Sequence, residues 1–192
     1  IMIGSFRDTV VYWVGQTLRA DLFVAPGART RGAGTAPLSE EVERLVSHHP
    51  LVAAVDRFRN TPIIVDDLPA MLTAQDFGVV SARGSLVFKA PADGLARMRE
   101  AAGRDEVVVS EPFANRHRLR VGEAVALPTP SGPHRFVVAG IYFDYSSDRG
   151  VVAMDQRTYA RHYGAWRPTG LSVYVREGAG PEAVGDELLR AM

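Results

Sequence analysis

The chain has 192 residues, enough for one domain or for one domain carrying an inserted lobe; 46% are hydrophobic and 23% charged, the balance of an ordinary globular protein. Formal net charge is zero, so the basic excess that nucleic-acid phosphates demand is missing and no nucleic-acid partner is expected. The absence of cysteine removes disulfides, thiolate metal sites and a cysteine nucleophile together, and it fits an extracytoplasmic bacterial domain.

In chain order, Ile3, Phe6, Val10, Trp13, Val14 and Leu18 recur at spacings of three and four, which predicts a helix over about 1–20. No capping residue precedes it, so a fragment of a longer chain is expected. No apolar run is long enough for a transmembrane helix, and the basic-then-apolar pattern of a signal peptide is missing from the opening residues. "DLFVAPG" reads as a short strand closed by Pro-Gly. Ser39 is the expected N-cap of a helix with Glu40 and Glu41 in its first turn, Val42, Leu45 and Val46 on its buried face, and Pro50 as its stop. "LVAAVDRFRNTPIIVDD" reads as one strand, or as two broken near Asn60 to Pro62. At the far end "GVVAMD" is a strand and "DQRTYARHYG" a helix capped by Asp155 and stopped by Gly164. "LSVYVREG" is the closing strand, and Pro181 opens a last helix carrying Val184, Leu188 and Met192 on one face.

Two strand–helix–strand units in one chain predict an α+β fold: a split βαβ lobe over 21–65 and 146–180, with 66–145 inserted between its halves. The insert is too long for a loop. It has its own elements: a strand near Ser85 to Phe88, a helix in "DGLARMREAAG", a strand in "EVVVS", a helix in "EPFANRH", and strands in "EAVALPT" and "HRFVVAGIYFDY" joined through "TPSG".

Residue types capable of chemistry cluster in "VVVSEPFANRHRLRVGEAVAL", which holds Ser110, Glu111 and His117. A hydrolase elbow needs Gly-x-Ser-x-Gly; here Val108 and Pro112 stand at the two glycine positions, so the pattern fails. The spacing instead makes Ser110 a helix cap, Glu111 a partner of the helix dipole and Gly122 a turn residue. His48 and His49 end a helix and, being adjacent, point in different directions. His117, His134 and His162 are isolated in sequence, and no HExxH-like spacing occurs, so no metal site is expected. "DYSSDRG" lacks the oxygen ladder of a calcium loop, and the kinase-like "DFG" at Asp76 to Gly78 has none of its companion motifs. Trp13 and Trp166 are expected to pack rather than to bind a ligand.

Four segments in order carry a resemblance: "SFRDTVVYWVGQTLRADLFVAP", "LSEEVERLVSHHPLVAAVDRFRNTPIIV", "VVVSEPFANRHRLRVGEAVAL" and "FVVAGIYFDYSSDRGVVAMDQRTYARHYG". Together they resemble the extracytoplasmic core domain of FtsX/MacB-type ABC transporter permeases over nearly the whole chain. The resemblance implies a porter-like lobe of two βαβ pieces with an inserted β-rich lobe. It also implies a juxtamembrane stalk helix at 1–20 and a helix at 181–192 leading back to the membrane. It implies a periplasmic location on an integral membrane protein, no cofactor, and no catalysis. Partners would be the rest of the permease, a cytoplasmic ATPase acting indirectly, and an adaptor or second permease copy. The function implied is coupling of ATP hydrolysis to export or release of a lipoprotein, lipid, peptide or drug, or to signalling across the membrane. Phe6, Val10, Trp13 and Leu18 would be the coupling stripe of the stalk. The alternatives are a periplasmic module that grips an adaptor or ligand directly, and more remotely a hydrolase.

Overall fold

The computed structural model describes residues 20–26, 36–84, 86–144 and 148–192. The helix expected over 1–20, with Phe6, Val10, Trp13 and Leu18, lies outside them. The chain divides into two compact units, one holding Arg167–Met192 with the described part of Ile1–Arg59, the other holding Asn60–Trp166.

In the smaller unit, β9 (Gly170–Val175) is the middle strand. It pairs antiparallel with β1 (Leu22–Val24), Leu22 opposite Val173, and with the first part of β2 (Val52–Val65), Val55 opposite Val173. Helices α1 (Glu40–Ser47) and α6 (Pro181–Ala191) carry the other half of the core. Val46, Val184 and Leu188 pack with Leu22, Val24, Leu171 and Val173. Ser39 caps α1, its hydroxyl accepting from Val42 N at 3.2 Å, and three glutamates fill the first turn where the helix dipole favours anions. Arg57 on β2 pairs with Glu43 and donates to Ser47 Oγ at 3.2 Å.

In the larger unit, β2 runs unbroken past Asn60 to Val65 and turns at Asp66 and Asp67, whose φ values of 48° and 61° are those of a two-residue hairpin. The return strand β3 (Leu68–Gln75) and helix α2 (Phe77–Arg83) have no counterpart in the sequence reading. Beyond β3 the strand order is β8 (Val151–Asp155), β5 (Glu106–Ser110), β7 (Gly132–Tyr142) and β4 (Phe88–Ala90). The β3–β8 and β5–β7 pairs are parallel and β5–β8 is antiparallel. Strand β6 (Ala124–Thr129) forms a hairpin with β7. Strand β8, helix α5 (Gln156–Tyr163) and strand β9 follow one another as the sequence suggests. Their pairing differs, β8 lying between β3 and β5 and β9 between β1 and β2.

Period-two alternation gives this sheet two apolar faces. Val107 and Val109 of β5 point into one core with Phe113 of α4 (Glu111–His117) and Tyr159 of α5. Val108 points into the other, with Phe77 and Val80 of α2 and Met98 of α3 (Gly94–Glu100). On β7, Val138 and Ile141 share the first core and Ala139 and Tyr142 the second, a slip in alternation produced by a bulge where Val107 opposes Val138 but Val108 opposes Gly140. The ring of Phe88 fills the space beside two glycines: a Cβ at Gly94 would stand 2.0 Å from it, and one at Gly140 2.7 Å.

Gly94→Ala should therefore destabilise the chain by about 1–3 kcal/mol through overpacking against Phe88. In a Phe88→Ala background the same substitution should be nearly neutral, and urea denaturation of the four proteins of that cycle measures the coupling.

Candidate functional site

The Ser110 segment is built as architecture. Ser110 is fully buried, caps α4 by accepting from Phe113 N at 3.4 Å, and accepts from Val151 N of β8 at 2.9 Å. Glu111 pairs with Lys89, and Gly122 has φ 88° in the turn before β6. His117 sits at the other end of α4, its ring 4.3 Å from that of Phe113, and donates through Nδ1 to Asp66 Oδ2 at 3.1 Å. Its Nε2 is buried with no partner among the described residues. The hydroxyl of Ser110 serves backbone N–H groups while the imidazole serves Asp66, so nucleophile and base are not in contact.

The other sequence candidates also separate. His48 closes α1, donating Nδ1 to Arg44 O at 2.8 Å, while His49 reaches Glu187 at 3.2 Å. Asp76 of the "DFG" is the N-cap of α2, accepting from Gly78 N at 2.9 Å and Val79 N at 3.1 Å. In "DYSSDRG" residues 145–147 lie outside the described set; the carbonyls of Asp148 and Arg149 accept from the Arg116 guanidinium at 2.6 and 3.1 Å. Trp166 packs edge-on against Tyr159, ring centres 5.6 Å apart.

Two other polar centres organise the larger unit. The first is Asp155, fully buried at the end of β8. Its Oδ1 accepts from Gly103 N at 3.1 Å, Arg157 N at 3.1 Å and Arg157 Nε at 2.9 Å, and its Oδ2 accepts from Phe77 N at 3.3 Å. One carboxylate thus caps α5, meets the first residue of α2 and ties down the loop before β5. Thr158 reinforces that tie by donating to Arg104 O at 2.6 Å, and Arg161 donates to Gly103 O at 3.0 Å.

The second centre follows from the first. With α5 fixed on the 103–105 loop, Asp105 receives His162 of α5 at 2.7 Å, His134 of β7 at 3.0 Å, and the guanidinium of Arg161. Both imidazoles present Nε2, their rings lie 4.2 Å apart, and Phe136 packs edge-on against each. Desolvation acts to raise the Asp105 carboxyl, but hydrogen bonds from His162, Arg161 and His134 overcome it and hold the group well below the usual carboxylate range. One ligand atom from each of Asp105, His134 and His162 lies within 4.8 Å of the others. The sequence reading does not bring these three together, because no short spacing links them.

The comparisons with known proteins agree with this fold. The MacB-like periplasmic core domain family matches residues 1–191. The chain belongs to that family. An uncharacterized ABC transporter permease protein of Mycobacterium tuberculosis is 28% identical over 203 residues, covering 100% of this chain; the chain spans 23% of that relative's length. The periplasmic region of MacB from Actinobacillus actinomycetemcomitans has the same fold at 13% identity, with a TM-score of 0.55 over 85% of this chain and 77% of that one. So does the extracellular domain of the noncanonic ABC-type transporter YknZ from Gram-positive bacteria, at 15% identity and TM-score 0.58 over 87% and 88% of the two chains.

Asp155→Ala should cost about 3 kcal/mol, since it leaves the buried N–H of Phe77 and the partly buried N–H of Gly103 without their acceptor as well as removing a helix cap. Asp76→Ala removes a more exposed cap and should cost about 1 kcal/mol. Chemical denaturation of the two variants beside the parent tests the ranking.

Proposed function

We propose that this chain is a non-catalytic extracytoplasmic domain of an ABC transporter permease, coupling cytoplasmic ATP hydrolysis to export or release of a substrate, or to signalling across the membrane. The observation that carries the reading is the family match across residues 1–191, joined by a relative named as an ABC transporter permease. The expectation put the porter-like lobe at 21–65 and 146–180 and the insert at 66–145; because β8 and α5 fall within the compact unit Asn60–Trp166, we infer instead that the unit of β1, β9, α1 and α6 is the porter-like lobe and Asn60–Trp166 the inserted lobe. Helix 1–20 would be the stalk and α6 the path back toward the membrane. Among the described residues no helix is long and apolar enough to cross a membrane, so the spans would belong to the rest of the permease. The ATPase would act from the cytoplasm through that permease, with an adaptor or second permease copy as further partners.

A stiff amphipathic helix transmits displacement because its backbone bonds are satisfied internally and its apolar stripe is packed. On this reading Phe6, Val10, Trp13 and Leu18 form the coupling stripe. Trp13→Asp in the intact permease should abolish transport while leaving membrane insertion and ATP binding by the partner subunit in place. Unchanged transport in a folded, membrane-inserted Trp13→Asp protein would sink the coupling role.

One feature favours direct binding of a partner as a second reading. Ile64 is 57% exposed at the β2–β3 hairpin, beside a shallow groove lined by Pro62, Ile63, Pro69 and Met71. Ile64 and the prolines beside it make a small exposed apolar patch of the kind that marks a partner contact. Ile64→Glu should then weaken capture of the adaptor or substrate without altering the stability of the domain, measured by pull-down and thermal unfolding side by side.

A further inference from the structure

We propose that Asp105, His134 and His162 form a binding site for a divalent first-row transition-metal cation, with zinc as the ion whose preferences they match best. Two imidazole nitrogens and one carboxylate oxygen are a donor set that zinc accepts, with solvent free to complete the tetrahedron. The donors come from three elements, the loop before β5, strand β7 and helix α5, and they converge within 4.8 Å. Zinc ligands at ~2.0–2.1 Å from the ion stand about 3.3 Å from one another. Oδ1 of the carboxylate lies 2.7 Å from Nε2 of His162 and Oδ2 lies 3.0 Å from Nε2 of His134, so the ion would enter between the two imidazoles and one of these oxygens, drawing the three ligand atoms together from within 4.8 Å.

The surroundings also suit the role. Phe136 packs on both rings, its centre 4.9 Å from that of His134 and 5.1 Å from that of His162, which limits their rotation. The Asp105 and His134 side chains are each 41% exposed and His162 is 14% exposed, which leaves an entry path and room for bound water. Binding requires each imidazole as the Nδ1–H tautomer, so the two Nε2–H bonds to Asp105 give way to the ion. Arg161 shares Oδ1 of the carboxylate with His162 while anchored on Gly103 O, and its Nε stands 3.4 Å from Nε2 of His162, a contact the ion would replace. Its charge opposes the incoming cation, which makes the site weaker than a closed structural one.

The proposal does not depend on the transporter reading. The test is titration of the 192-residue chain, prepared without a polyhistidine tag and stripped with chelator, with zinc alone, followed by calorimetry and by competition with a chromophoric chelator. One equivalent should bind, magnesium should not compete, and His134→Gln and His162→Gln should each weaken binding about 10–100-fold. His48→Gln with His49→Gln should leave it unchanged. Absence of saturation below roughly 1 mM zinc, or equal affinity in the parent and the His134→Gln/His162→Gln double variant, would overturn the site. Should those variants fail to fold, imidazole resonances of the parent decide: zinc-induced shifts confined to His134 and His162 support the proposal, and shifts at His48 and His49 instead refute it.

Discussion

Asp155 is the constraint on which the larger unit depends. A carboxylate without exposure is tolerable only when its oxygens are fully engaged, because desolvating an unpaired charge is costly. Asp155 meets that demand with four N–H donors drawn from α2, the loop at Gly103 and the start of α5. The same bonds fix where α5 begins and how the 103–105 loop lies beneath it. The meeting of Asp105 with His162 and Arg161 is a consequence: with the start of α5 pinned at Gly103, residues 161 and 162 at its last turn fall over the loop's next residues.

The apolar framework reaches the same place by another route. β5 is buried on both faces, sending Val107 and Val109 to one core and Val108 to the other. Parallel pairing with β7 sets Glu106 opposite Val137, and Val137 N donates to Asp105 O at 3.0 Å. His134 lies three residues before Val137, so the end of the β6–β7 hairpin overhangs Asp105. Hydrophobic burial thus supplies His134 and the polar knot at Asp155 supplies His162. Neither alone would assemble the cluster.

What the sequence made legible follows from how local each signal is. The cap at Ser110, with Glu111 and Pro112 in the first turn, needs only neighbours within three or four residues, and α4 begins where those residues say. The same holds for Asp155 and Gly164 around α5. β3 was illegible because "LPAMLTAQ" carries a proline and no clean alternation, and because the turn at Asp66 and Asp67 is a hairpin without the usual glycine. Strand partnership was illegible for a deeper reason: β8 and β9 flank one helix, yet each pairs with strands far away in sequence. The Asp105 cluster is non-local in the same sense, its members 29 and 57 residues from Asp105, beyond the reach of any spacing rule.

Buried polar groups and candidate sites separate on a physical criterion. Ser110 and Asp155 are fully enclosed, and the bonds described for them run mostly to backbone N–H groups, which have no second state to adopt. Such groups specify the fold, and removing one damages the structure around it. Asp105 differs, since its half-exposed carboxylate is satisfied by side chains whose donor atoms can turn to an ion in its stead. Exchangeable partners at an accessible position give a polar cluster something to do beyond holding the chain together. That is why residue types alone mislead in "VVVSEPFANRH": its serine looks reactive, but its bonds tie it to the frame, and its histidine reaches Asp66 and not that serine.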